Sequence, residues 1–566
     1  MCGIAGILNF QQPINPVELD RFTDSLTHRG PDGRGTFIGG NLGLGHRRLA
    51  ILDLSEAGKN PMPYGGENGK RYWITYNGEV YNFLELRQEL KQLGHRFKTE
   101  TDTEVVVAAY AEWGEDCLLR FNGMWAFAIW DAVEKKLFLA RDRFGVKPLY
   151  YLTTGNRFAF ASELKAFLEL NDFSVALNEE VIPHIIQTNQ AYEGTTDQTI
   201  MKNVLRLHGG HSLTLKSDGN YTLKKWWETL SHIPQIPSSY TEQVEQFRDL
   251  FLDAVKIRLR SDVAVGTCLS GGIDSSAVAS GMAWNHRQGK NGLERCAGDW
   301  QQAFVATFPG TQLDERAYAD DVIGHVGAQP HYWVFDNDQA LSHIIDSVWA
   351  MEEVYLGIAV PAWCLYRQMR RKNVVVSLDG HGGDELLGGY TWYLDCPMNQ
   401  VDQILYRDFH TTLLPSILRN FDRCSMAHGI EVRMPLMDWR LVTFAFGLPA
   451  DCKIGAGYTK RVLRDAMQGI MPENVRRRRS KIGFNSPMIE WYNGGMAEML
   501  RKIVNHRLWL ESPFWDGHQL RDYVLEKTNA GAWTSSDWGV TLHIWSRVNI
   551  VLWQLLFVER NLSEIN

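Results

Sequence analysis

The chain has 566 residues, of which 45% are hydrophobic and 22% charged. That balance supplies large apolar cores and a wetted surface, excludes a disordered chain or a collagen-like repeat, and at about 150 residues per domain predicts roughly two to four domains. Lys and Arg number 58 against 66 Asp and Glu, a net charge of −8, so no general attraction draws the chain to nucleic acid or an anionic membrane.

In chain order, the first 215 residues read as short strands broken by Gly and Asn, at 2–8, 42–49, 72–76, 124–130, 137–140 and 157–161. One helix stands out at 82–93, where Leu84, Leu86, Leu90 and Leu93 make an apolar face. The Pro- and Ser-rich stretch 231–240 has no periodicity and reads as a linker. Beyond it come a helix at 241–260, an apolar strand at 263–269, and a Gly turn opening a new helix at Ser275. Strands at 304–308 and 374–378 follow, separated by enough chain for helical crossovers, which predicts a parallel α/β sheet. From about Tyr390 the chain reads mostly helical. The expected organisation is a domain at 1–230, a linker at 231–240 and a second domain at 241–566.

Cys2 follows the initiator Met, so removal of one residue exposes a cysteine with a free α-amine. A thiol is a strong nucleophile as thiolate, and an α-amine of pKa about 7.7 to 8.0 accepts its proton near neutrality. Nucleophile and base then share one residue. Asn77 and Gly78, read as following a strand that ends at Tyr76, suit an oxyanion hole, an amide side chain and a free backbone N–H converging on one oxygen. Arg48, read at a strand entrance, with Glu79 and Asp102, matches the carboxylate and ammonium of an amino acid.

The segments MCGIAGI, HRGPDG, HRRLAILDL, YNGEVYN and TDTEVV, in this order, closely resemble the class II glutamine amidotransferase domain. That resemblance implies an α+β N-terminal-nucleophile hydrolase sandwich of αββα layers. It further implies that Cys2, once Met1 is removed, attacks the side-chain amide of glutamine and releases ammonia through a glutamyl thioester. By the same match Arg48, Asn77, Glu79 and Asp102 bind glutamine, and Asn77 with Gly78 stabilises the oxyanion.

A second site follows the strand at 263–269. In Ser270-Gly271-Gly272-Ile273-Asp274-Ser275-Ser276 two glycines let backbone approach phosphate oxygens, hydroxyls face them, and a helix N-terminus adds positive partial charge. Bare phosphate repels Asp274, so its presence makes sense with Mg²⁺ between them. The strand at 374–378 runs into Asp379-Gly380-His381-Gly382-Gly383-Asp384-Glu385, where Asp384 is a natural second Mg²⁺ ligand. Loops at the carboxyl ends of neighbouring parallel strands are where such sheets bind ligands. No Walker A sequence or H-E-x-x-H competes, and His208 with His211 around a Gly pair reads as a turn.

These motifs resemble the ATP-pyrophosphatase (PP-loop) synthetase domain, an α/β parallel-sheet fold with a helical C-terminal part. Joined to the first half, they resemble glutamine-dependent asparagine synthetase over nearly the whole chain. The match extends to residues 422–426, to GIEVRMPLMD at 429–438 and to YTKRVLR at 458–464. It implies that ATP activates an acceptor carboxylate as an acyl-adenylate and that ammonia, delivered through an internal tunnel, displaces AMP. Ser270, Gly271, Gly272, Asp274, Ser275, Ser276 and Gly380 then hold ATP and its pyrophosphate, Mg²⁺ bridges Asp274 to Asp384, and Lys460 neutralises charge at the adenylated centre. The basic run Arg476 to Arg479, with Lys481, reads ordinarily as a solvated face.

The match departs where the acceptor is placed. Asparagine synthetases usually read S-G-E-G-x-D-E after the third strand; here the serine is Asp379 and the glutamate His381. Upstream, after Glu352, the polar residues of the family give way to Leu356, Gly357 and Ile358. Glu352 and His381 are the expected acceptor pocket. Apolar replacements leave fewer partners for the two carboxylates and ammonium of aspartate. The acceptor is therefore aspartate or, alternatively, a uronic acid of a surface polysaccharide or a natural-product carboxylate. A non-catalytic homologue or a bare glutaminase requires the loss of one site.

Eight cysteines without a C-x-x-C pair signal neither a zinc site nor a disulfide framework. The start lacks a signal peptide's basic and apolar regions, and the stretch 550–558, interrupted by Gln554, reads as a buried helix. The expectation is a cytoplasmic enzyme acting on glutamine, ATP and an acceptor carboxylate, without nucleic acid or a membrane span, and with a homodimer as the candidate assembly.

Overall fold

The computed structural model describes all residues except 67–69, 189–191, 290–293, 312, 356, 484, 485 and 564–566. Its first part contains β1 (Gly3–Asn9), β2 (Gly33–Gly39), β3 (Leu42–Arg48), β4 (Met62–Tyr64), β5 (Tyr72–Val80) and β6 (Gly123–Asp131). These are followed by β7 (Lys136–Arg141), β8 (Tyr150–Thr153), β9 (Arg157–Ala161), β10 (Leu205–Arg206), β11 (His211–Lys216) and β12 (Tyr221–Lys225). They form two six-stranded sheets, in the orders β10-β8-β9-β1-β3-β2 and β12-β11-β7-β6-β5-β4. All pairings within them are antiparallel.

The alternation of side chains along each strand sends one set of residues between the sheets. Ile4, Leu8, Leu44 and Phe160 from the first sheet meet Ala128, Trp130, Leu139 and Leu213 from the second. The outer face of the first sheet is covered by the helix Pro16–Asp24 and the segment around Phe167. That of the second is covered by the helices Phe83–Gln92 and Asp102–Trp113. The layers are thus α, β, β, α, the sandwich implied by the resemblance.

Two local expectations change. The strand expected to stop at Tyr76 runs on to Val80, because its ladder with β6 continues through Asn77↔Ala126, Gly78↔Trp125 and Glu79↔Met124. The helix at Phe83–Gln92 buries Phe83, Leu86 and Leu90 but leaves Leu93 outside it and 52% exposed. The helix Asp102–Trp113, missed by periodicity, is buried from Asp102 through Tyr110. A helix covered on all sides has no polar stripe to betray its period.

The second part is built on β13 (Val265–Cys268), β14 (Gln302–Thr307), β15 (Gln329–Val334), β16 (Val376–Leu378) and β17 (Glu431–Arg433). They form one parallel sheet in the order β15-β14-β13-β16-β17. The helices Tyr240–Arg258, Ile273–Arg287 and Val360–Arg371 pack around it. Two strands escaped the sequence pattern: β15 is an edge strand with mostly exposed residues, and β17 is three residues long.

The stretch Ser535–Glu559 is long and apolar enough by composition to cross a bilayer, yet 67% of its apolar window is buried within the protein. Trp553 and Phe557 pack beneath the first sheet, joining the chain's end to its beginning.

Buried ion pairs also link the two parts. Arg29 donates to Glu163 at 2.7 Å and to Asp422 at 2.8 Å, and Arg206 grips both oxygens of Glu353 at 2.7 and 2.8 Å. Such desolvated charges hold only because each finds its counter-charge.

Candidate active site

Cys2 is held at the head of β1, between the two parts of the chain. Its backbone N–H donates to Asn77 Oδ1 at 2.9 Å, and its Sγ lies 3.9 Å from the Leu49 carbonyl. Burial pushes the Cys2 thiol up, against the opposing pull of the chain's terminal amine, the Leu49 contact and Arg48. Asn77 is fully buried, and its Nδ2 has no hydrogen-bond partner in the structure. A buried amide N–H without an acceptor is costly, and it is the donor an oxyanion hole needs. Gly78 is required by packing: a Cβ there would stand 2.2 Å from the Met124 carbonyl.

Glu79 and Asp102 are both buried here. Asp102, in the first turn of its helix, accepts from Tyr76 Oη at 2.8 Å and Val80 N at 2.9 Å, and burial raises it to about 6. Burial, reinforced by Asp102 and Glu431, raises Glu79 well above the usual carboxylate range. Two acids sharing a dry site resist joint ionisation, and an arriving ammonium relieves that cost. Arg48 stands at the exit of β3, not at a strand entrance. Its Nη1 donates to the Ser55 carbonyl at 2.7 Å and its Nη2 to that of Asp53, so in this structure it braces the following loop.

Two residues to which the sequence reading gave no role complete this region from the other half. The Met1 amine lies 3.0 Å from Glu431 Oε2, and Arg433 bonds Glu431 Oε1 at 2.6 Å while its Nη2 stands 3.6 Å from Glu79. Both lie on β17, inside the segment GIEVRMPLMD, which was the signal available.

The second site is a cavity of about 280 Å³ at the carboxyl ends of β13, β14 and β16. Ser270, Gly272, Asp274, Ser275, Gly380, His381, Asp384 and Lys460 all line it. Gly271 adopts φ +76° and a Cβ there would meet Ala319 N at 2.7 Å, so the turn needs glycine; its carbonyl accepts from Arg478. Gly271 and Ser276 do not line the cavity. Ser276, one helical position past Ser275, is rotated into the core and fully buried.

Lys460 reaches into the cavity between two acids. Its Nζ pairs with Asp274 and lies 2.6 Å from Asp384 Oδ1, while Lys481 Nζ bonds Asp384 Oδ2 at 2.8 Å. Burial raises Asp274, outweighing Lys460; for Asp384 the two lysines overcome burial and hold it below the carboxylate range. Asp274 Oδ1 is buried without a partner. Two carboxylates are the oxygen donors that Mg²⁺ takes, and Asp274 and Asp384 are the residues that would hold it. Among the described residues no cluster of three or more His, Cys, Asp or Glu is arranged for a metal.

The basic run divides. Arg476 and Arg477 pair with Glu473, whereas Arg478, Arg479 and Lys481 line the cavity, so half of the run is not the solvated face expected.

The expected acceptor pair is not brought together. His381 lines the cavity, its ring 3.5 Å from that of Phe421 and its Nε2 3.5 Å from Asp379. Glu352 does not line it. Its carboxylate accepts from Leu164 N at 3.0 Å and Lys165 N at 2.8 Å and pairs with Arg423 at 3.1 Å, bracing the first domain instead. Local spacing could not reveal a partner almost two hundred residues upstream. Leu356 lies outside the described residues.

Comparison with known proteins agrees in both halves. Residues 1–227 match the glutamine amidotransferase domain family, and residues 246–400 and 397–554 match the asparagine synthase family. The chain is 30% identical to "Asparagine synthetase [glutamine-hydrolyzing] 3" of Bacillus subtilis, over 93% of each chain. It is 27% identical to "Asparagine synthetase [glutamine-hydrolyzing] 1" of the same organism, over 99% of this chain and 97% of the relative. It is also 27% identical to "Amidase chry2" of Gibberella zeae, over 93% of this chain and 82% of that one. The chain belongs to the asparagine synthase family, with a glutamine amidotransferase domain at its N-terminal end.

Proposed function

We propose that the protein is a glutamine-hydrolysing, ATP-dependent amidotransferase, with residues 1–230 as glutaminase, 231–240 as linker and 241–566 as synthetase. With Met1 removed, the Cys2 amine takes the thiol proton and the thiolate attacks the side-chain amide carbon of glutamine. The C–N bond breaks, ammonia leaves, and water then hydrolyses the glutamyl thioester to glutamate and free thiol. Asn77 and Gly78 stabilise the oxyanion. Glu79 and Asp102 receive the substrate ammonium, and Arg48 its carboxylate by exchanging a carbonyl of the loop it braces.

In the second half an oxygen of the acceptor carboxylate attacks the α-phosphorus of ATP, and pyrophosphate leaves. Ammonia then attacks the acyl carbon, the bond to AMP breaks, and one proton is released with the amide. Ser270, Gly272, Ser275 and Gly380 hold the pyrophosphate, while Lys460 meets negative charge on the adenylated centre. Asp274 and Asp384 would hold Mg²⁺, which when bound would neutralise charge on the phosphates. The enzyme works in the cytoplasm on small molecules, with a homodimer as the candidate assembly.

One observation carries this reading: the buried Asn77 amide, anchored through Oδ1 to the Cys2 N–H, keeps Nδ2 without a hydrogen-bond partner. The Cys2→Ala protein tests it. Glutamine consumption should fall by on the order of a thousandfold or more, while ammonium chloride still supports amide formation. Unchanged glutamine consumption refutes the proposal.

Aspartate is the acceptor in the simplest reading. A uronic acid or natural-product carboxylate is the second reading, favoured by His381 stacked on Phe421 where the family carries glutamate.

A further inference from the structure

The two departures from the usual turn after the third strand meet in space. Asp379 and His381 stand where asparagine synthetases usually read serine and glutamate, and His381 Nε2 lies 3.5 Å from Asp379 Oδ2. Asp379 is buried with both oxygens engaged. Its Oδ1 accepts from Cys268 N at 3.0 Å and Ser377 Oγ at 2.6 Å, and its Oδ2 from Tyr366 Oη at 2.8 Å. Burial pushes this carboxyl up, yet His381, Ser377 and the Cys268 N–H together hold it below the usual carboxylate range. Asp379 is therefore a fixed anion that faces the imidazole.

His381 is placed differently. Its ring lies on that of Phe421 at 3.5 Å and 24°, lines the cavity at the carboxyl ends of the parallel sheet, and keeps 18% of its side chain exposed. Nε2 is buried without a hydrogen-bond partner and faces the Asp379 charge. A carboxylate beside one ring nitrogen favours the proton there and leaves the lone pair on the other, here Nδ1. The turn is also set against the anion cradle: a Cβ on Gly380 would stand 2.6 Å from Asp274 Cβ and 2.8 Å from Ser275 N.

Around His381 in the cavity stand Asp274 and Asp384, paired with Lys460 and Lys481, and Glu315, paired with Arg478. Glu385 accepts from Tyr390 Oη at 2.5 Å, and Arg464 donates to the carbonyls of Thr459, Arg476 and Arg478. On the helix behind Phe421, Asp422 turns away to Arg29. Glu385 is the rival for a proton-accepting role, and it is the more deeply buried of the two.

We infer that His381 is the base of the amide-forming step and that Asp379 positions it. The inference rests on the ATP-dependent amidation proposed above and applies to aspartate and to the other acceptors alike. As the ammonia nitrogen bonds to the acyl carbon, one N–H proton passes to His381 Nδ1. The C–O bond to AMP then breaks with its electron pair leaving on the phosphate oxygen, and the imidazolium, stabilised by Asp379, returns the proton to water. A neutral base does this without adding a negative charge beside the adenylate.

The test uses the full chain in single turnovers with MgATP and ammonium chloride, which bypasses glutamine, and with aspartate, glucuronate or 3-phenylpropionate as acceptor. Pyrophosphate and amide are measured side by side. His381→Gln should slow amide formation by about 10² or more and leave pyrophosphate release within about threefold. His381→Glu, which restores a base, should recover about tenfold or more of that loss. Its amide rate relative to the unaltered protein should rise several-fold as pH falls from 8 to 5.5, since an imidazole takes up a proton in that range and a carboxylate does not; the ratio cancels the changing supply of ammonia. Asp379→Asn should slow the same step about tenfold and add nothing to His381→Gln in the double variant. Equal loss of both steps in His381→Gln, no loss, or a flat pH ratio overturns the inference while amidation stands, as does a selective loss of amide in Glu385→Gln alone. Absence of pyrophosphate release by the unaltered protein with every acid overturns the amidation reading and this inference with it.

Discussion

The Met1 amine lies 3.0 Å from the carboxylate of Glu431, 430 residues away in the chain. Glu431 stands on β17, the end strand of the parallel sheet, so Met1 is docked on the sheet whose carboxyl ends carry the second cavity. Met1 is buried in the same apolar cluster as Leu49, Ile51, Tyr81, Met124 and Val146. Arg433, two residues along, links Glu431 to Glu79 and also donates to the carbonyls of Arg258 and Arg260 at 2.7 and 2.6 Å. A single three-residue strand thus braces Met1 and Glu79, beside Cys2, from the second part of the chain.

Asn77→Ala should lower kcat for glutamine hydrolysis by about 10² to 10³, the usual loss for one oxyanion donor. Because Nδ2 acts on the charge that develops in the transition state, kcat should fall more than KM rises. Steady-state kinetics on purified protein decide it; a change confined to KM assigns Asn77 to substrate binding alone.

Lys460→Met should suppress pyrophosphate release by about 10² or more, since it removes the cation between Asp274 and Asp384. The charge left behind is two facing carboxylates, so the Mg²⁺ concentration needed for half-maximal residual activity should also change. A variant with unaltered pyrophosphate release removes Lys460 from the mechanism.

Arg29→Met should destabilise the protein by about 3 kcal/mol, because buried Glu163 and Asp422 would lose their closest shared guanidinium and keep Arg423, at 3.6 and 3.0 Å, as the other. Urea unfolding followed by tryptophan fluorescence measures the shift. Loss of less than ~1 kcal/mol means that Arg423, already paired with both acids, suffices without Arg29.

Stability should decline as pH falls from about 6.5 toward 4. Burial holds His46 and His208 down to about 3 and His410 and His428 to about 4. The unfolded chain takes up these protons near pH 6.5 while the folded chain does not, so the stabilisation present above that pH is lost on acidification. Each histidine adds a slope of up to ~1.4 kcal/mol per pH unit. Urea midpoints at pH 8, 6.5 and 5 report it, and a flat profile contradicts these depressed values.

The candidate chemistry was legible along the chain because it is carried by contiguous residues. Cys2 owes its candidacy to its position, and the anion cradle at 270–275 to glycines and hydroxyls directly after an apolar strand. The sheets announced themselves through short apolar runs, and the parallel topology through the lengths of the crossovers. Where a segment was covered on every side, as at Asp102–Trp113, burial removed the polar half of the pattern and with it the helical signal. Where a strand's end depended on its neighbour, as at Asn77 to Glu79, the ladder with β6 decided it.

Partner choice belonged to the tertiary structure. Glu352 looked like an acceptor ligand from its place in a motif, but Leu164, Lys165 and Arg423 claim its carboxylate. The basic run looked uniform, yet Arg478, Arg479 and Lys481 turn into the cavity at the carboxyl ends of the parallel sheet. Glu431 and Arg433 were ordinary charged residues until β17 docked them against the chain's first residue. Sequence alone determined which reactive groups this protein possesses and the local turns that present them. Which charges meet, which are consumed in bracing and which stay available depends on segments hundreds of residues apart, because electrostatic and packing energies follow distance in space, not along the chain.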